Sequence, residues 1–158
     1  MKKIKKINNK TINEAVELLQ KGKLIGFPTE TVYGLGADAT NKEAVLKIYK
    51  NKNRPKSNPL IVHVATLDQA RSIGIFDEKI LKIVKDFWPG PLTVVLKRKD
   101  NSKICKELCA GKENIAIRIS NNKTILSLIK KLGKPVAAPS ANKFGMLSPT
   151  SAAHVEKQ

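Results

Sequence analysis

Short apolar runs alternate along this chain with stretches whose apolar residues recur at helical spacing, and this alternation restricts the fold most. The runs Lys23–Phe27, Leu60–Ala65, Leu92–Leu96, Ile115–Ile119 and Val136–Ala138 are short, several of them β-branched, and read as strands. Residues 11–21, 41–50, 67–72, 77–87 and 122–132 read as helices. Ile12, Ala15, Val16 and Leu19 share one helical face, closed by Gly22; Ala44, Val45, Ile48 and Tyr49 share another. A last helix begins at Thr150, while residues 100–113 fit neither period. Strands alternating with helices place the chain in the α/β class. Neither a repeat nor a linker interrupts it, so residues 1–158 are expected to form a single domain.

With 158 residues, 41% of them hydrophobic, the chain can bury a substantial core. No apolar run approaches the roughly 20 residues of a membrane helix. The basic start MKKIKKINNK lacks the apolar stretch of a signal peptide, so a cytoplasmic location without membrane contact is expected. Cys105 and Cys109 are too few for a disulfide framework, and only His63 and His154 could join them, from unrelated contexts; no metal site is expected.

Lys and Arg exceed Asp and Glu by 30 − 13 = +17. Such an excess fits a polyanionic partner such as RNA, or a phosphate-rich substrate. It fits equally well a solvated surface in a chain rich throughout in Lys, Ile and Asn. Arginine is scarcer, at Arg54, Arg71, Arg98 and Arg118 only, and its planar fork binds phosphate or carboxylate bidentately where lysine cannot.

Polar and special residues gather where the strands end, the usual place for ligands on open α/β sheets. Pro28-Thr29-Glu30-Thr31 offers hydroxyls to a small polar substrate, or caps the turn that follows. Gly34 and Gly36 lack the spacing of a dinucleotide or Walker loop. Lys52, Arg54 and Lys56 make a phosphate-binding loop between stiffening prolines, though cations also suit a helix C-terminus. Ser140 and Asn142 flank one residue after a strand and can face one ligand; a plain turn uses the same types. His63 lies among apolar neighbours, as core histidines do. Arg118 interrupts an apolar strand and, if buried, needs an anionic partner, either an internal carboxylate or a substrate carboxylate. No nucleophile–base pair is readable, which points to chemistry by positioning and charge stabilisation.

Taken together, Phe27–Gly36, Ile48-Tyr49 with Lys52-x-Arg54-Pro55, Asn58–His63, Phe87–Thr93, Ala116–Arg118, Ala138–Asn142 and Ser148–Thr150 closely resemble, in order, the Sua5/YrdC/YciO family. The resemblance covers roughly residues 11–158. It implies a twisted mixed sheet with flanking helices and a basic concave face, of the YrdC-like kind. It also implies an L-threonylcarbamoyladenylate synthase, which joins L-threonine, bicarbonate or CO2, and ATP with release of pyrophosphate. Mg²⁺ would accompany the ATP. Partner proteins then transfer the threonylcarbamoyl group to adenosine 37 of certain tRNAs.

By the same resemblance, Lys52, Arg54, Ser140 and Asn142 are the catalytic and ATP-binding signature. Asn58 and Ser148 contact ATP, while Thr31, His63 and Arg118 hold threonine, Arg118 through the carboxylate. Family members commonly continue past this point into further strands. The chain is therefore expected to lack the C-terminal part of the fold and some nucleotide contacts. Three alternatives remain: a tRNA- or double-stranded-RNA-binding domain without catalysis, a YciO-like paralogue, and a carbamoyl-transfer domain like that of hydrogenase maturation proteins. The complete Lys52, Arg54, Ser140, Asn142 set favours the synthase over the last two. The 4% aromatic content disfavours base-stacking recognition of single strands.

Overall fold

A computed structural model describes residues 4–157; Met1, Lys2, Lys3 and Gln158 of the expected 1–158 span lie outside the described residues. The chain runs α1 (Asn9–Gln20), β1 (Ile25–Phe27), β2 (Gly34–Asp38), α2 (Lys42–Lys52), β3 (Ile61–His63), α3 (Leu67–Arg71) and α4 (Glu78–Phe87). It continues through β4 (Val94–Lys97), a 3₁₀ turn (Lys106–Cys109), β5 (Asn114–Arg118), α5 (Lys123–Leu132), β6 (Val136–Ala137) and α6 (Ala152–Glu156). Polar side chains start the helices by capping free N–H groups: Asn8 for α1, Asn41 for α2, Asp77 for α4 and Asn122 for α5. A glycine in the left-handed region, Gly133, ends α5.

Among the described residues the strands form one sheet in the order β1-β2-β6-β3-β5-β4. Only β3 and β5 pair in parallel; the other neighbours are antiparallel, so the sheet is mixed, as expected. Alternation along the strands separates two apolar clusters. Ala37, Val62, Ile115, Ile117 and Ala137 pack with Val45, Ile48 and Tyr49 of α2. Val136 and Ala138, the neighbours of Ala137, turn the other way and pack with α1 and α5 through Leu19, Ile125 and Ile129.

The expected strands and helices form, with ends displaced by at most two residues; the ambiguous 100–113 segment holds the 3₁₀ turn. The sequence reading has no counterpart for β2. Gly34-Leu35-Gly36-Ala37-Asp38 contains no β-branched or aromatic residue. It is a strand because β1 bonds one edge and β6 the other.

The glycines of β2 have a steric purpose. The ring of Phe27, only 3% exposed, lies across them. A Cβ at Gly36 would stand 2.5 Å from Phe27 Cε1 and 3.0 Å from Val136 Cγ1. The same ring meets His63 edge-on, with centroids 6.3 Å apart. Gly36→Ala is therefore expected to push the Phe27 ring and cost about 1–3 kcal/mol of stability, as overpacking does. Urea unfolding of the variant measures this, and a parent-like midpoint would show that the ring moves freely.

Candidate active site

The register of β3 on β5 brings the first group of side chains together. His63 pairs with Arg118, and both turn away from Val62 and Ile117 onto the face that carries α1 and α5. On this face Ile61 and Ala116 are only half-buried, and Val95, opposite Ala116 on β4, is 66% exposed. The helices thus leave part of the sheet face uncovered, with an apolar floor.

Arg118 is 8% exposed and satisfies the demand for an anion internally. Its Nη2 lies 2.8 Å from Glu30 Oε1, and its Nε donates to the Gly90 carbonyl at 3.2 Å. Thr31 Oγ1 is 3.5 Å from the same Nη2. Glu30 also receives a hydrogen bond from the Ser120 hydroxyl. Burial pushes the Glu30 carboxyl up. Donors from Arg118, Ser120 and the backbone N–H groups of Glu30 and Asn121 outweigh this and hold it at about 2. The loop carrying Glu30 is tied to itself: Thr29 Oγ1 donates to Val32 O at 2.6 Å and receives Thr31 N–H at 3.1 Å.

His63 is fully enclosed, and its Nδ1 has no hydrogen-bond partner. Burial first, and the Arg118 charge second, bring its pKa down to about 4, so the ring is neutral at pH 7.

The second group lies toward the other end of β3, where Arg54 donates to the carbonyls of Asn58 and Pro59 just before the strand. Lys52, the last residue of α2, is 2% exposed. Its ammonium donates to the carbonyls of Ser140, at 2.6 Å, and of Asn142. The backbone repeats the link, since Phe144 N–H donates to Lys52 O at 2.8 Å. Burial, and then the Arg54 charge, lower the Lys52 pKa to about 8.

Arg54 folds over the turn that follows it. Nε donates to Asn58 O at 3.1 Å; Nη2 donates to Asn58 Oδ1 at 2.7 Å and to Pro59 O at 2.8 Å. Phe144 covers its face, with the guanidinium carbon 5.7 Å from the ring centroid. Asn142 is 7% exposed; its Nδ2 donates to Lys143 O and Met146 O, and its Oδ1 lacks a partner.

The structure thus joins Thr31, His63 and Arg118 in one group and Lys52, Arg54, Asn58, Ser140 and Asn142 in another. Ser148 joins neither. It is exposed, and no hydrogen bond connects its side chain to the described residues. Lys56 is exposed as well, so the expected cationic loop is a buried ammonium and a braced guanidinium rather than a row of free charges. Sequence reasoning left out Glu30 and Gly90 as partners of Arg118, and Ser120 as a donor to Glu30. The need for a buried anion was legible; which carboxylate meets it depends on a loop folding over the sheet.

In both arginines Nε and Nη2 are engaged and Nη1 makes no hydrogen bond to the described residues. Each group thus keeps donors of its cations unused and available to an anionic part of a ligand, while His63 Nδ1 and Asn142 Oδ1 are buried without partners among the described residues. Nothing in either group is placed as a nucleophile with its base.

A model of the Sua5/YciO/YrdC family, described as "Telomere recombination", matches residues 17–158. The chain is 47% identical over 149 residues to the threonylcarbamoyl-AMP synthase of Bacillus subtilis, covering 94% of this chain and 43% of that one. It spans less than half the length of the first curated relatives it matches. Among solved structures, Pyrococcus abyssi Sua5 complexed with L-threonine superposes with a TM-score of 0.92 at 41% identity, covering 98% of this chain and 45% of that one. Escherichia coli YciO shares the fold, with a TM-score of 0.86 at 23% identity, covering 96% of this chain and 74% of that one.

Acid should weaken the fold in two windows. Unfolded His63 takes up a proton near pH 6.5, whereas the folded ring resists until about 4. Stability is therefore lost as pH falls from 6.5 to 4, by up to about 3 kcal/mol. Glu30, held at about 2 against an ordinary 4.5, adds a loss between pH 4.5 and 2. Urea unfolding across pH is expected to show both, and His63→Gln to flatten the upper window alone. A parent whose stability is level from pH 6.5 to 4 would contradict a neutral His63.

Proposed function

The chain belongs to the Sua5/YciO/YrdC family, and on that premise we propose that it carries the threonine- and ATP-binding domain of an L-threonylcarbamoyladenylate synthase. The observation that carries this reading is the pairing of two site groups on one sheet. One is built around the Arg118 guanidinium, whose Nη1 is unused among the described residues, the other around the cations Lys52 and Arg54. The full span 1–158 is read as one YrdC-like domain.

In this reading Arg118 Nη1 takes the threonine carboxylate, with His63 and Thr31 around the rest of the amino acid. The threonine amine, as the free base, adds to bicarbonate or CO2 and becomes a carbamate; with bicarbonate water leaves, and with CO2 a proton is released to solvent. A carbamate oxygen then attacks the α-phosphorus of ATP, and the bond to the β-phosphate oxygen breaks. The products are the threonylcarbamate–AMP mixed anhydride and pyrophosphate. Two of the three Lys52 N–H groups are engaged by carbonyls, which leaves one for the phosphates; Arg54 contributes Nη1. Asn58 braces Arg54, while Ser140, Asn142 and Ser148 complete the nucleotide contacts. The acceleration comes from holding reactants in line and neutralising charge.

Magnesium arrives with the ATP phosphates, its common mode of binding. Among the described residues no group of three or more His, Cys, Asp or Glu side chains is assembled to hold an ion. A mixed anhydride calls for an acyl-transferring partner, and adenosine 37 of tRNA is the proposed acceptor. No helix among the described residues is long and apolar enough to cross a membrane, which is compatible with the cytoplasm as the place of reaction.

Pyrophosphate release from ATP is expected to require both threonine and bicarbonate; release unchanged by omitting either would end the synthase reading. The two arginines should separate. Arg118→Ala is expected to weaken threonine binding by about 2–5 kcal/mol with ATP binding retained, and Arg54→Ala to do the reverse. Titration calorimetry reads both.

A contribution from RNA rests on the net charge of +17. Binding to duplex RNA or tRNA is expected to weaken steeply with salt, as for duplex DNA, where the log–log slope is about −0.9 per neutralised phosphate. Filter binding across a salt series checks this, and affinity that is level with salt would exclude phosphate-driven binding.

A further inference from the structure

We propose that Glu30 is a positioning residue of the amino-acid subsite, fixing the Arg118 guanidinium so that Nη1 is the donor left for a substrate carboxylate. This rests on the assignment of Arg118 to threonine. An arginine side chain on a strand end can swing through many rotamers, and a bidentate or directed contact needs one of them. Here three anchors limit it: Gly90 O on Nε at 3.2 Å, Glu30 Oε1 on Nη2 at 2.8 Å, and Thr31 Oγ1 beside Nη2 at 3.5 Å. Glu30 is the charged anchor among them and so the strongest.

Glu30 is itself held. Its other oxygen accepts from Ser120, which is 1% exposed. Its loop is closed by the Thr29 hydroxyl on Val32 O at 2.6 Å. A carboxylate on so many donors is a fixed part of the site. The opposite role would be a stand-in that occupies Arg118 until substrate displaces it. That role needs a loosely held carboxylate and a fully occupied fork, and neither is found. Because Glu30 balances the Arg118 charge, discrimination here depends on where Nη1 sits more than on surplus positive charge.

The test is titration of L-threonine and, separately, ATP into the parent, Glu30→Ala, Glu30→Gln, Glu30→Asp and Arg118→Ala. Glu30→Ala is expected to weaken threonine binding about tenfold or more, the scale of one lost charge-assisted contact, and to leave ATP binding as in the parent. Gln keeps an acceptor for Nη2 at full length, and Asp keeps the charge one methylene short. Threonine should therefore bind Glu30→Gln better than Glu30→Asp, an order that general damage to the fold would not produce. In turnover, the threonine KM should rise while kcat at saturating threonine changes little. Parent-like threonine binding by Glu30→Ala, or Asp outperforming Gln, would overturn the positioning role; tighter binding would instead make Glu30 a competitor of substrate. Should Arg118→Ala also bind threonine like the parent, the assignment of Arg118 itself fails, a separate result from either.

Discussion

The parallel pairing of Ile61–His63 with Ala116–Arg118 decides most of what surrounds it. Side chains alternate across a strand, so this register sends Val62, Ile115 and Ile117 into the cluster under α2 and sends His63 and Arg118 to the other face. A slip of one residue would put a guanidinium among Ile48, Leu60 and Val64 and bring Ile117 to the site. The cost of an unpaired buried charge makes that slip prohibitive. Core and site are thus two readings of one hydrogen-bond ladder. The residues that stabilise the fold also aim those that would bind the ligand.

A buried cation at each end completes the arrangement. Arg118 ties the loop after β1 and the Trp88–Pro91 turn to β5. Lys52 ties the end of α2 to the loop after β6. In both cases most of the cation's donors are spent on the protein and part is left over. In the proposed reading such groups have a double role: removing one would loosen a loop and delete a ligand contact together. Hence the separate readouts for the two ligands matter more than overall loss of turnover.

The elements with strong period and β-branched or helical composition were legible in the sequence. So were the residues of both groups, except the partners that loops supply. β2 was not, because Gly34 and Gly36 look like turn residues until Phe27 is seen lying on them. Their small size is a packing requirement imposed by a residue on another strand, and nothing local records it. Glu30 was hidden for a related reason. In Pro28-Thr29-Glu30-Thr31 the hydroxyls suggest a turn or a substrate contact. The structure shows the turn, which Thr29 closes on Val32 O, and places Thr31 beside Arg118. The carboxylate between them answers a charge 88 residues further along the chain, a long-range pairing that no spacing rule contains.

Net charge and local charge do separate work here. The surplus of +17 is spread over lysines on the surface, and its field reaches only about 8–10 Å at physiological salt. Within the Arg118 group the balance is different: Arg118 is matched by Glu30, and His63 is neutral. That group is built for a ligand bearing both signs or for a precisely placed single anion. Lys52 and Arg54 have no carboxylate partner among the described residues, and burial lowers the pKa of both, so they keep an unmet demand for negative charge. An anion of high charge would relieve that demand; an amino acid would not. The surface lysines can raise the encounter rate of any polyanion, triphosphate or RNA alike. In the proposed synthase reading, selection between threonine and ATP would then rest on which end of β3 leaves its cations uncompensated.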